Sequence, residues 1–441
     1  MTQQTTIKTY LPYIGGRPWE SAGQVEQKVV NPYTGETIAN VRLATAADID
    51  AAIGLAAEAQ KGWGALLAKE REAVLLRAAD LVEQRTMDLA KILIDEGGSV
   101  FGKAMFECGY MVSALRIAAA QAREVRGETM PSDSPNRLSM TIRSPLGVIA
   151  GVGPFNAPFL LNGKKLAPAL AAGNAFILKP SPYTPLIALK FAEILEEAGV
   201  PPGVVSVLPA TDEALGDKFF SDPRVAMVTF TGSAKVGFYL NELAGRFRKK
   251  LVLELGGKSP IVILKDADLD YAVRSAAFGI YFNQGQVCMA NSRIIVEAPI
   301  YEKFCEAFVK KVKEVPYGNP ALPTTAVGPL ISKRQVEFVR SHIDDAIANG
   351  ARLLTGGDVQ GNVMSPAVLA DVKEGMQCYA EESFGPLGSI YRANDFEDAI
   401  RLANDTSYGL SSGIVTNDLQ KAFSFALRMN AGAVHINDNS F

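Results

Sequence analysis

From Leu146 to Glu254 the chain repeats one pattern: a short apolar run, a turn, then a stretch with helical spacing. Apolar runs at 147–152, 175–178, 204–208, 225–229 and 250–254 read as strands. The intervening segments 161–172, 185–198 and 234–244 read as helices. Strands that alternate with helices form βαβ units, and such units build a parallel sheet covered by its own helices. This rhythm constrains the fold more than any other feature. It resumes beyond a helix at 271–282, with a strand at 293–296 and helices at 300–315, 333–349, 396–404 and 419–429.

The preceding segments are of another kind. Short extended pieces and turns fill 10–40, and amphipathic helices fill 44–98, where Thr45 is a plausible cap for the first. A long helix is predicted over 103–125. The segment 126–143, with Pro131 and Pro135, reads as a hairpin excursion. No repeat, low-complexity tract or flexible linker separates the halves, so intimately packed domains are expected.

Composition excludes several functions. The net charge of −3 and 21% charged residues offer no surface for nucleic acid. Cys108, Cys288, Cys305 and Cys378 follow neither a metal-ligand nor a disulfide spacing, which favours a reducing compartment. With His342 and His435 the only histidines, a histidine-dependent triad or a histidine-rich metal site is disfavoured. The polar start at 1–10 lacks a signal peptide's apolar core, and no apolar run reaches the roughly 18–20 residues of a membrane helix. A cytoplasmic protein without a membrane partner is expected.

Five stretches carry chemistry. Cys288 follows Gly285-Gln-Val, at a loop where glycine eases presentation of a thiol; alone, a buried structural thiol is the commoner reading of such a cysteine. Gly153-Pro-Phe-Asn156 leaves the carboxyl end of a strand, where open parallel sheets bind ligands, and Asn156 offers an amide donor there. Phe230-Thr-Gly-Ser233 joins a strand to a helix start, whose N–H groups attract phosphate, and Lys179-Pro-Ser181 closes another strand. Glu254 ends a strand before Gly256-Gly257, a place where partial desolvation is expected to raise a carboxylate toward general-base range. In Glu382-Ser-Phe384 a carboxylate suits ribose hydroxyls and an aromatic suits a flat ring.

In this order, Pro154-Phe-Asn156, Lys179-Pro-Ser181, Phe230-Thr-Gly-Ser233, Glu254-Leu-Gly-Gly-Lys258, Gly285-Gln-Val-Cys288 and Glu382-Ser-Phe-Gly-Pro386 make the chain resemble the aldehyde dehydrogenase superfamily along essentially its whole length. The resemblance implies a Rossmann-like parallel-sheet cofactor domain (1–125 and 144–253), an α/β catalytic domain (254–441) and a small β oligomerisation arm (126–143). It implies Cys288 as nucleophile, Glu254 as general base and Asn156 as oxyanion donor, with Lys165 near the base. Phe155, Lys179, Ser181, Gly232, Ser233, Val236, Glu382 and Phe384 fall where the family holds NAD or NADP. Ala157, Leu160, Leu161, Lys164, Val287 and Met289 fall where it meets substrate. A homodimer or homotetramer is implied, with an aldehyde as small-molecule partner.

Two departures stand out. Pro182 occupies the position where NAD-preferring relatives often carry a ribose-gripping glutamate, so NADP is expected to be accepted. Relatives also continue past the expected strand at 433–437 with a Pro-Phe-Gly-Gly tunnel segment and a further strand, whereas this sequence reaches Phe441 without them. Ala157, and the likeness of Val434-His-Ile-Asn-Asp438 to the benzaldehyde and vanillin branch, imply aromatic aldehydes. A CoA-acylating dehydrogenase and a non-catalytic protein that kept the fold are the alternatives.

Overall fold

A computed structural model describes residues 7–20 and 23–440; the chain start at 1–6 and Phe441, where the leader and tail expectations fall, lie outside them. By contact clustering the chain divides into two compact units. One contains 7–31, Gly35–Gly97 and Ala104–Glu254, and the other Pro32–Thr34, Gly98–Lys103 and 255–440.

In the first unit the strands are β1 (Tyr13–Ile14), β2 (Arg17–Pro18), β3 (Val148–Val152), β4 (Ala175–Lys179), β5 (Val205–Val207), β6 (Val225–Thr231) and β7 (Lys250–Glu254). They form one seven-stranded sheet in the order β7-β6-β3-β4-β5-β1-β2. From β7 to β5 every pairing is parallel, and β1 and β2 add an antiparallel edge. β3 and β4 are buried almost throughout, as expected for strands covered on both faces.

Helices α1 (Ala46–Ala65), α2 (Ala68–Gln84), α3 (Thr86–Gly97), α4 (Phe101–Gln121), α5 (Pro158–Ala171), α6 (Pro185–Glu197) and α7 (Ala234–Phe247) accompany this sheet. Thr45 caps α1 as expected, in a reciprocal box with Asp48. α5 begins three residues before its predicted start. Pro158 occupies its first turn, where the missing N–H costs nothing. Two buried glutamates complete helix starts that no local side chain caps. Glu96 accepts from Leu186 and Ile187 N–H at the head of α6, and Glu107 from Phe159 and Leu160 N–H at the head of α5. The excursion at 126–143 is a hairpin, pairing Thr129–Met130 with Ser139–Met140.

The second unit repeats the theme with β8 (Pro260–Ile263), β9 (Arg293–Glu297), β10 (Arg352–Thr355), β11 (Ala367–Ala370), β12 (Leu387–Ala393), β13 (Ser411–Val415) and β14 (Ala433–Ile436). Their order is β10-β11-β12-β9-β8-β13-β14, parallel except for β10. Helices α8 (Leu269–Tyr281) and α9 (Tyr301–Lys313) bury one face of it with Ile280, Phe304 and Phe308. α10 (Lys333–Ala348), α11 (Phe396–Asn404) and α12 (Leu419–Arg428) bury the other with Val339, Ile343 and Phe425. Among the described residues no helix is long and apolar enough to cross a membrane.

Candidate active site

In the first unit the parallel register aligns four strand ends. Val152 lies opposite Lys179, Phe230 opposite Val152, and Thr231 opposite Glu254. The sheet starts at β3, adds β4 and β5 on one side and then β6 and β7 on the other. The connections that leave β3 and β6 therefore diverge at the switch point, where a ligand crevice opens. From this edge emerge Gly153–Asn156, Pro180–Thr184, Gly232–Ser233 and Glu254.

Asn156 is 9% exposed at the foot of α5. Gly153 has no room for a Cβ, which would collide with the buried Asn162 side chain one turn into α5. The Phe155 ring meets Tyr183 edge-on at 5.8 Å, joining the loops that follow β3 and β4.

Glu254 is exposed, so the desolvation expected of it is absent. β7 is the edge strand of its sheet, and its side chains alternate between exposed and half-buried. The perturbed group is Lys165. Burial pushes its ammonium down to about 8, the charge of Glu254 pulls it back up, and Lys164 adds to the lowering. Lys165 Nζ donates to Thr229 Oγ1 at 2.9 Å.

The same edge fits a dinucleotide. Ser233 caps α7 by accepting from the Val236 N–H, and Gly232 sits so close to the Phe230 ring that a Cβ would clash. A fourteen-residue helix starting at such a turn offers N–H groups and a positive dipole end to phosphate. Val236 is exposed on its first turn. Ser181 is buried and accepts from Tyr183 N–H. Lys179 is buried too, its ammonium 3.1 Å from the exposed carboxylate of Asp212. Asp212 is a partner that sequence reasoning missed, because a short helix outside every motif supplies it.

In the second unit the candidates gather at the opposite kind of edge, on loops that enter the amino ends of β8, β9 and β12. A Cβ on Gly257 would strike the Cys288 carbonyl, one on Gly285 the Gly385 carbonyl, and one on Gly256 the Glu382 carboxylate. Three loops thus meet backbone to backbone, and glycine is what permits it. Asn283, Gln284 and Gly285 are all left-handed (φ 49°, 57° and 70°), which turns the chain sharply between α8 and Cys288. Gln284 Nε2 holds this turn through the carbonyls of Gly98 and Pro329. Val287, Cys288 and Met289 are half-buried, whereas Cys108, Cys305 and Cys378 are buried. Burial pushes the Cys305 thiol up to about 11, where it stays protonated.

The Glu382 carboxyl accepts from Gly257 N–H at 3.1 Å, and burial pushes it up to about 7. Phe384 adopts φ 49°, strained for an aromatic residue. The strained loop is held by α10, another contribution that no motif announced. Gln335 Nε2 donates to the carbonyls of Ser383 and Phe384, both at 3.0 Å, and His342 Nδ1 shares a hydrogen bond with Ser383 Oγ at 3.0 Å. Among the described residues no three His, Cys, Asp or Glu side chains are grouped to hold a metal ion.

Comparison with known proteins bears on the chain as a whole. The aldehyde dehydrogenase family matches residues 19–441. A vanillin dehydrogenase of a Pseudomonas species is 40% identical over 429 residues, 96% of this chain and 88% of its own length. A benzaldehyde dehydrogenase of Bacillus subtilis is 37% identical, over 97% of this chain and 88% of its own. The crystal structure of a salicylaldehyde dehydrogenase from Pseudomonas putida G7, complexed with salicylaldehyde, superposes with a TM-score of 0.96 at 34% identity, covering 99% of this chain and 90% of that one.

Proposed function

We propose, for a chain that belongs to the aldehyde dehydrogenase family and is an NAD(P)-dependent enzyme, that its substrates are benzaldehyde-like aromatic aldehydes, oxidised to the acid through a thioester on Cys288. The observation that carries the aromatic assignment is the start of α5. Half-buried Ala157 follows Asn156 directly, and Leu160 and Leu161 continue an apolar wall one turn further on. A methyl group beside the proposed oxyanion donor leaves space for a ring, and apolar walls favour a flat apolar guest. The relatives named for vanillin, benzaldehyde and salicylaldehyde support the same reading.

In this mechanism Cys288 Sγ, as thiolate, attacks the carbonyl carbon. The Asn156 side-chain amide and the Cys288 N–H donate to the oxyanion that forms. A bound nicotinamide dinucleotide supplies the hydride acceptor. With the thioester in place, the Glu254 carboxylate takes a proton from water as that water attacks the acyl carbon, and the Cys288 thiolate leaves. Glu254 is exposed and within reach of solvent, which suits a base that must recruit water. Lys179, Ser181, Phe155, Gly232, Ser233 and Val236 would hold the dinucleotide from the first unit's sheet edge, with Glu382 on a ribose and Phe384 on a flat ring.

The test is kcat/KM for benzaldehyde, 4-hydroxybenzaldehyde, hexanal and acetaldehyde, followed as NAD(P)H absorbance at 340 nm, in wild type and Ala157→Phe. Benzaldehyde is expected to lead, and the added ring to cost it at least about tenfold. A lead for acetaldehyde or hexanal overturns the aromatic assignment.

A further inference from the structure

The second unit buries a cation that the proposed chemistry does not use. Lys258, just before β8, is 1% exposed, and its ammonium has no hydrogen-bond partner among the described residues. The carboxyl groups near it are engaged elsewhere. Glu382 accepts from the Gly257 N–H, and the Glu381 carboxylate lies 3.7 Å from His342 Nε2. Arg293, a second buried cation in the same region, donates to the Leu402 and Ala403 carbonyls at the end of α11. Burial pushes the Lys258 ammonium down to about 8, with Arg293 adding to the fall and Cys378, Glu382 and Glu381 opposing it. At neutral pH the group therefore still carries its proton. A buried charge without a partner is destabilising, so such a group calls for a counter-ion.

Lys258 also lines a pocket of about 210 Å³, counted out to its open mouth. The pocket lies between the start of β8, the loop from α11 to β13 and the loop from α12 to β14. Gly409 and Asn430 stand exposed at its rim, whereas Pro260, Ala403 and Ser411 are buried with Lys258 at its floor. The Ser411 hydroxyl likewise lacks a partner among the described residues. Two donors without acceptors thus line one pocket, whose enclosed part has room for about one water-sized occupant.

We infer that Lys258 and Ser411 form the floor of a binding site for one small monovalent anion of halide size. A water molecule would satisfy the hydrogen bonds but bring no charge. Two buried cations, Lys258 and Arg293, stand here against one buried carboxyl, Glu382, which burial itself pushes up to about 7. A halide accepts from both the ammonium and the hydroxyl and supplies the missing negative charge. Anions of four or five atoms, such as sulfate, exceed the enclosed space.

The experiment uses bromide as the probe, in crystals and in solution. Wild-type crystals soaked in sodium bromide are expected to show an anomalous peak at hydrogen-bond distance from Lys258 Nζ and Ser411 Oγ. In solution, replacing gluconate by bromide or chloride at constant ionic strength should raise Tm saturably, by about 2 °C. Lys258→Met should remove this halide dependence, whatever its own Tm. Ser411→Ala should move its midpoint to about fivefold higher halide, and it carries the solution test alone if Lys258→Met does not fold. A water without anomalous signal at this position in wild type overturns the inference. A bromide peak with no saturable halide dependence of Tm marks an adventitious ion only and overturns it too. So does a halide dependence that the variants keep unchanged.

Discussion

Cys288 differs from the other three cysteines in exposure, and that difference is what chemistry needs. Burial pushes the Cys305 and Cys378 thiols up, away from the reactive thiolate, whereas a half-buried thiol on a turn can meet a substrate. Cys288→Ala is expected to abolish NAD(P)H formation while the dinucleotide affinity, read by fluorescence titration, stays within about twofold of wild type. Asn156→Ala should lower kcat by about 10²–10³, the usual cost of one oxyanion donor; a loss under about threefold would place the donor elsewhere. Lys165 gives a pH signature. Its ammonium, lowered to about 8 by burial, is the cation felt by Glu254. As pH rises through that value the positive charge beside Glu254 disappears. Thioester hydrolysis in wild type should therefore show a limb near pH 8 that Lys165→Met lacks, and identical profiles would remove Lys165 from the chemistry.

At the level of elements, α10 acts as a brace for the 382–384 loop. Phe384 holds a backbone conformation that costs on the order of 1 kcal/mol or more, and Gln335 and His342 offset that cost through the carbonyls and hydroxyl they bind. Removing the Ser383 hydroxyl, or replacing His342 by leucine, is expected to raise the dinucleotide Kd by about five- to tenfold. The double variant should be no worse than either single one, since both break the same hydrogen bond. If Glu382→Gln leaves Kd unchanged, the loop is not where the dinucleotide binds. His342 also ties this brace to acid stability. It is fully buried, and burial, with Lys258 adding, pushes its imidazole down to about 4. The unfolded chain binds a proton at His342 below about pH 6.5 while the folded chain resists it. Stability from this residue is thus complete above about 6.5 and is lost as pH falls toward 4, by about 1.4 kcal/mol per unit of depression. Urea unfolding at pH 5 and pH 7 should show a smaller pH difference for His342→Leu than for wild type.

On the scale of the whole molecule, the proposed dinucleotide site draws on residues from separate segments of the chain. Pro182 offers no carboxylate to an adenosine ribose, which by itself would admit NADP. Folding, however, brings Asp212 onto Lys179, the lysine that would meet a 2′-phosphate. Asp212→Asn is therefore expected to tighten NADP binding at least about fivefold relative to NAD, measured as the ratio of the two Kd values in low salt. Equal changes for both dinucleotides would show that Asp212 does not act on the 2′ position.

The order of strands and helices was readable from periodicity between Leu146 and Glu254, because parallel strands covered on both faces are continuous apolar runs and their helices are amphipathic. Helices 333–349, 396–404 and 419–429 were visible for the same reason. β8, β11, β12 and β13 were not, since short buried strands beside glycine and serine carry no period to detect. The motifs around Asn156, Glu254 and Cys288 stood out because glycine and proline punctuate them. Their environments did not. Which strand lies at the edge of a sheet decides that Glu254 is exposed, and sequence cannot say which strand that will be. The partners His342, Gln335 and Asp212 lie outside every motif and act through contacts between distant segments. Local residues determine what each segment becomes; which side chains then share an environment depends on how those segments pack, and that the tertiary structure alone decides.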